Sequence, residues 1–267
     1  MEGVVVKVLA ALDETAAART VLAASHEIAH MFAAEVCGVH VLQDKARRVR
    51  EITAEGGVPL VQLEGPAGLR LAEALNDDDD AIALVVGTRT RPPGAREIGS
   101  TALEVVMTAH KPVFAIPPEL PTRFAIRRVL VPLEGSLPTS YAPYATLVVP
   151  GAQHVDVVIL HVLEVQSVPA VCDQPQHEWE VFECEFLTRY SPWPIEHVRL
   201  ETRVGRPDRL ILQVARETDC NLIALAWAQD LGPGRARIVR ETLLYGNLPV
   251  LLMPMKVAVE GIVHLHG

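Results

Sequence analysis

The sequence predicts an α/β protein of two similar domains, each built on a parallel, doubly wound sheet. The first observation behind this is a repeat at a fixed offset. Val-Leu-Ala-Ala-Leu-Asp, ending at Asp13, returns 121 residues on as Val-Leu-Val-Pro-Leu-Glu, ending at Glu134. The Val-His-Val-Leu around His40 returns at the same step as Leu-His-Val-Leu around His161. Lys-Pro-Val-Phe-Ala-Ile-Pro from Lys111 returns as Leu-Pro-Val-Leu-Leu-Met-Pro from Leu248, 137 residues on, so the second copy carries an insertion. Two copies of one unit are most simply two domains. The second observation is composition. Apolar residues make up 49% of the chain but aromatics only 4%, so the cores are packed with Val, Leu, Ile and Ala. Such aliphatic runs suit buried parallel strands covered by helices.

The elements follow in order. Residues 4–12 form an aliphatic run that reads as a strand, and 16–32 place Val21, Leu22, Ile28 and Phe32 roughly at helical spacing. Residues 35–42 are a second strand, and 45–53 leave room only for a short helix. Residues 58–63 are a third strand, followed by a helix over 66–75 opened by Pro66, a position where proline is tolerated. Residues 81–87 are a fourth strand, 100–109 a helix and 112–116 a fifth strand. Alternation of this kind implies parallel strands joined by right-handed crossovers. The proline-rich stretch from Pro117 to Thr122 reads as the joint between domains at 1–118 and 126–256. The insertion falls at about 165–194, where 179–190 suit an amphipathic helix. The tail, 257–267, reads either as an added strand or as a loosely held end.

A formal charge of −9 argues against a nucleic-acid surface, which needs clustered positive charge. It leaves open small anions bound by backbone N–H groups. No apolar run approaches the roughly 18 residues of a membrane span, and no ordered signal-peptide pattern opens the chain. Cys37, Cys172, Cys184 and Cys220 form no CxxC pair. The expectation is a cytoplasmic protein with free thiols.

In an open parallel sheet the ligand crevice lies beyond the carboxyl ends of the strands, where strand order switches. Asp13 falls just past the first strand, Gly87 ends the fourth, and Gly99-Ser100-Thr101 opens the next helix. A helix start presents unpaired N–H groups and a positive dipole end, and glycine lets a phosphate approach the backbone. A carboxylate facing it suits sugar hydroxyls.

Val-Leu-Ala-Ala-Leu-Asp, Gly-Val-His-Val, and Val-Val-Gly with Gly-Ser-Thr-Ala-Leu-Glu-Val-Val and Lys-Pro-Val-Phe-Ala-Ile-Pro resemble the universal stress protein family. In the second copy Arg-Val-Leu-Val-Pro-Leu-Glu-Gly-Ser, Leu-His-Val-Leu and Leu-Pro-Val-Leu-Leu-Met-Pro resemble it too. The resemblance covers nearly the whole chain and implies a tandem member. It further implies two adenine nucleotide alpha hydrolase-like sheets of five strands, order 3-2-1-4-5, paired through their fifth strands as an intramolecular pseudo-dimer. Nucleotide-binding members carry G-x2-G-x9-G-[ST]. Here eleven residues separate Gly87 from Gly99 where the motif has twelve, Thr90 stands at the middle glycine, and Gly94 is a displaced substitute. Arg89, Arg91 and Arg96 lie in the same loop, where they read either as phosphate partners or as solvated charge. By the resemblance, Leu12, Asp13 and Val41 line the adenosine side of an ATP or AMP site. Gly87, Gly94, Gly99, Ser100 and Thr101 line its phosphate side, and the only metal expected is nucleotide-associated Mg. The bland alternative is a glycine turn and an ordinary helix start.

The second copy fits less well. Counting back from Pro249 as from Pro112, Ala236-Arg237 replaces Gly99-Ser100. At the end of the fourth strand Ala226-Trp227 replaces the glycine, and Glu134 replaces the aspartate. The indole is expected to fill the crevice. His177, Glu178, Glu180, Glu183, Cys184 and Glu185 suggest a metal cluster only superficially, since no recognised ligand spacing is present. The His264/His266 pair and the Asp77–Asp80 run are weak for the same reason, the latter at the amino edge of the sheet. His40 and His161, inside aliphatic strands, read as satisfied core histidines. Neither a catalytic triad order nor a Walker loop occurs, and slow ATP hydrolysis would have no evident base but Asp13. The sequence therefore points to a stress-response protein holding an adenine nucleotide in the first domain without rapid turnover. The alternative is a ligand-free interaction scaffold with both crevices closed, either of them able to form a homodimer or bind protein partners.

Overall fold

A computed structural model describes residues 5–42, 46–88, 97–133, 143–144, 147, 155–163, 175–191, 198–230 and 235–255. Gly94, Thr90, the three arginines of the same loop, Glu134, Cys172, the His264/His266 pair and the tail lie outside them. In the first half, β1 (Lys7–Ala11), β2 (Glu35–Leu42), β3 (Leu60–Glu64), β4 (Ala81–Gly87) and β5 (Val113–Ile116) alternate with α1 (Ala17–Phe32), α2 (Arg47–Glu55), α3 (Ala67–Asn76) and α4 (Ser100–Thr108). The second half supplies β6 (Arg128–Leu133), β7 (Asp156–Leu163), α5 (Pro175–Tyr190), β8 (Val198–Val204), α6 (Pro207–Glu217), β9 (Leu222–Trp227), α7 (Arg235–Tyr245) and β10 (Val250–Pro254). The third strand begins two residues later than the hydrophobic pattern suggests. Pro66 caps α3 from outside the helix instead of opening it.

All ten strands join one sheet in the order β3-β2-β1-β4-β5-β10-β9-β6-β7-β8. Each half is therefore 3-2-1-4-5, and the halves meet through their fifth strands. Pairing is parallel within each half and antiparallel at the seam, with Val250 opposite Ala115, Leu251 opposite Phe114 and Leu252 opposite Val113. Every residue of β5 and β10 is buried. Two edges that would otherwise invite foreign strands thus close on each other. The seam is reinforced outside the sheet, where the Ile126 N–H donates to Glu27 Oε1 at 3.0 Å.

Helix α1 shows how local sequence makes these layers. Ala18, Val21, Leu22, Ser25, Ile28 and Ala29 fall on one buried stripe at helical spacing. The helix ends with Ala33 in the left-handed region at φ 51°, and the Ala34 N–H reaches back to the Ala29 carbonyl at 2.9 Å. One core, containing Val21, Ile28, Phe114, Val131 and Leu251, fills one face of the sheet across both halves. A second, containing Leu84, Val105, Ile223 and Leu252, fills the other.

Candidate functional site

The first crevice opens where β1 and β4 end and their chains part to opposite faces. Leu12 is buried and locked, its N–H donating to the Val39 carbonyl at 2.9 Å. Its own carbonyl lies 2.7 Å from His40 Nδ1. Because a carbonyl only accepts, Nδ1 carries the proton in this pair. His161 stands 3.1 Å from the Leu133 carbonyl in the second half, the same contact one repeat later. Both histidines thus pin strand ends together rather than await a substrate. Val41, buried on β2, faces the opposite side of the sheet from His40.

Asp13 is half-buried and already works in its loop. Its Oδ1 accepts the Thr15 N–H at 3.0 Å and the Thr15 hydroxyl at 2.5 Å, and Thr15 Oγ1 accepts the Ala17 N–H. Both of these partners sit on Oδ1. The neighbouring Glu14 carboxylate takes the backbone N–H groups of Arg48 and Val49 at 3.0 and 3.1 Å, capping α2 from a distance. The Asp-x-Thr spacing was a readable turn signal; the Glu14 cap had none, because α2 is brought to it by the fold.

On the phosphate side, Thr88 organises the strand-to-helix passage. It is buried, donates its N–H to the Ile116 carbonyl at 2.9 Å, and accepts the Gly99 N–H at 2.8 Å. Gly99 is the N-cap of α4, with φ −60° and ψ 137°, a conformation any residue adopts. A Cβ placed on it would meet, among the described residues, the Thr88 carbonyl at an ordinary 3.5 Å. A Cβ on Gly87 would touch Val21, also at 3.5 Å. Among the described residues, neither glycine is required by backbone or packing. Gly68 contrasts with both: a Cβ there would fall 2.6 Å from Glu104 Cβ, so α3 and α4 approach closely because of it. The N-cap residue Gly99 has no side chain of its own to cap α4, and Ser100 is exposed with Thr101 half-buried beside it. The structure therefore brings Leu12, Asp13, Gly87, Gly99, Ser100 and Thr101 to one end of the sheet.

The second crevice corrects the count made from the sequence. In the strand register Met253 pairs with Ala226 as Ile116 pairs with Gly87, and Pro254 pairs with Trp227. Ala226 alone replaces the strand-end glycine, and Trp227 takes the place of Thr88. Its indole is buried and belongs to the apolar cluster that includes Leu225, Val239 and Ile211, on the face opposite Ala226. Helix α7 starts at Arg235, so Arg237 lies inside the first turn and not at its first residue. Arg237 is committed elsewhere, 3.0 Å from Asp208 Oδ2 at the start of α6. Arg206 reaches the same oxygen at 2.6 Å and holds the Asp208 carboxyl below its usual range. The inserted helix α5 packs on the carboxyl half of β7. The Phe186 ring lies 4.5 Å from the His161 ring, and Phe182 and Tyr190 extend the aromatic row. Among the described residues, no three His, Cys, Asp or Glu side chains are placed to share a metal. None of the described helices is long and apolar enough to cross a membrane.

This architecture and its repeat can be set beside known proteins. The sequence of residues 125–242 matches the universal stress protein family. That match lies in the second half of the chain, and the first half repeats its strand order. Among solved structures, a functionally unknown protein from Pseudomonas aeruginosa PAO1 is similar over 96% of this chain and 95% of its own, at 12% identity and TM-score 0.67. A universal stress protein from Archaeoglobus fulgidus covers 96% of this chain and 100% of its own, at 16% identity and TM-score 0.64. A shorter universal stress protein solved in complex with cAMP covers 48% of this chain and 97% of its own, at 15% identity and TM-score 0.32. No curated protein matches the sequence. These two full-length neighbours share the fold of this chain, two like halves joined in one sheet.

Proposed function

We propose that this is a cytoplasmic stress-response protein whose first domain, residues 1–118, holds ATP or AMP without rapid turnover. The second domain, residues 126–256, has lost the site. The observation that carries the reading is Gly99. A glycine that neither its backbone angles nor, among the described residues, its packing needs stands at the start of a helix, where an anion gains most from close approach. Ser100 and Thr101 would add hydroxyl donors to the phosphates. Asp13 would accept from a ribose hydroxyl, Leu12 and Val41 would flank the base, and Gly87 and Gly94 would give the phosphate loop room. Any Mg would arrive with the nucleotide.

Three features support loss of the second site: Ala226 at the strand end, Arg237 held by Asp208, and the aromatic helix packed on His161. The same features favour a second reading, a ligand-free scaffold for protein partners or a homodimer, if the first crevice is closed as well. Native mass spectrometry of freshly purified protein separates the two. One adenine nucleotide per chain supports the first, and an empty chain that gains no mass with ATP supports the second.

A further inference from the structure

Gln229, two residues past β9 in the second half, reaches across the seam to the far end of α4. Its Nε2 donates to the Val106 carbonyl at 3.1 Å and to the Ala109 carbonyl at 2.7 Å. Both partners are acceptors, so the amide nitrogen must face them. Gln229 holds φ +57°, a left-handed backbone that a side chain adopts only at a cost. The cost is offset where it aims the amide at carbonyls that a helix end leaves unsatisfied.

The end it caps has little help of its own. Helix α4 stops without glycine at an extended Ala109 and has no basic residue in its last turn. Its other polar closure comes from Asn76, which donates to the Thr108 carbonyl and accepts the His110 N–H. The two ends of α4 therefore differ in kind. The start has a glycine as its N-cap, with no side chain of its own, and the finish is gripped by an amide from the other domain.

We infer that Gln229 is a positioning residue: the second domain, having lost its own site, fixes the helix whose N-terminus forms the phosphate side of the first. The consequence for ligand affinity rests on the nucleotide reading above; the grip itself does not. Both are tested on the full chain with Gln229→Glu, Gln229→Ala and Gln229→Lys. The carboxylate replaces donors by an acceptor facing two carbonyls, alanine removes the group, and lysine restores donors and a cation favourable at a helix C-terminus. Hydrogen–deuterium exchange without ligand should rise about tenfold or more in peptides covering 100–110 for the Glu and Ala variants and stay near wild type for Lys. Titration with ATP should show about tenfold weaker binding for Glu and Ala, with recovery in Lys. Unchanged exchange in both Glu and Ala overturns the grip. Raised exchange with unchanged ATP affinity overturns the positioning role. A wild-type protein that binds no ATP defeats the nucleotide reading, and the exchange series then decides the grip by itself.

Discussion

Replacing Gly99 with leucine separates the fold from the site. Among the described residues the new Cβ meets only the Thr88 carbonyl, at 3.5 Å, and the backbone angles suit any residue. Exchanging glycine for a non-capping residue at an N-cap costs up to about 1 kcal/mol. Restricting the unfolded chain returns about 0.4–1 kcal/mol. The two nearly cancel, so the melting temperature should move by no more than about 2–4 °C. Binding is another matter. The isobutyl group projects from the start of α4, where phosphate oxygens must come within about 3 Å of backbone N–H groups. Hydrogen bonds to a charged partner contribute about 1.5–3 kcal/mol each. Losing two weakens ATP binding by about 3–6 kcal/mol, or roughly 10²–10⁴-fold. Isothermal titration calorimetry on wild type should give a stoichiometry near one and, on the variant, no measurable heat. An affinity untouched by Gly99→Leu, or two sites per chain, would refute the steric argument.

Other perturbations test neighbouring parts of the structure. Asp13→Ala and Asp13→Asn should both weaken ATP by about 1–3 kcal/mol, the range for a lost charge-assisted hydrogen bond. Asparagine keeps an oxygen for Thr15, so normal affinity in Asn alone would show that Asp13 serves only its turn. Gly68→Ala should destabilise by about 1–3 kcal/mol in urea melts, because the added Cβ sits 2.6 Å from Glu104 Cβ and α4 must shift. An unchanged midpoint would mean that α3 and α4 slide apart freely. Asp208, held low by its bonds to Arg206, contributes stability that is complete above its unfolded pKa of about 3.9 and lost as pH falls through the lower folded value. Asp208→Asn should therefore flatten the acid limb of thermal stability below about pH 4 relative to wild type. Parallel curves for the two proteins would remove Asp208 from the account.

Much of this architecture is written locally. Continuous aliphatic runs and helical stripes such as Val21, Ile28 and their neighbours depend on adjacent residues, so strand and helix order could be read before any contact was known. The repeat added what periodicity lacks, since two units sharing Val-Leu-x-x-Leu and His-Val-Leu must share a topology. The spacing of Asp13 and Thr15 was legible for the same reason, being a bond between near neighbours. Counting failed where the loops differ in length. The sequence comparison set Ala226-Trp227 against the strand-end glycine, whereas the strand register gives that place to Ala226 and puts Trp227 in the place of Thr88, on the face opposite Ala226. Insertions break an offset, but hydrogen-bonded register does not. The other decisions belong to tertiary structure for a related reason. That Gly99 is unnecessary to its backbone, that Arg237 is spent on Asp208, and that Gln229 grips α4 more than a hundred residues away in sequence are facts about partners. A sequence specifies donors, acceptors and volumes in order along the chain; only the closed sheet, with β5 against β10, decides which of them meet.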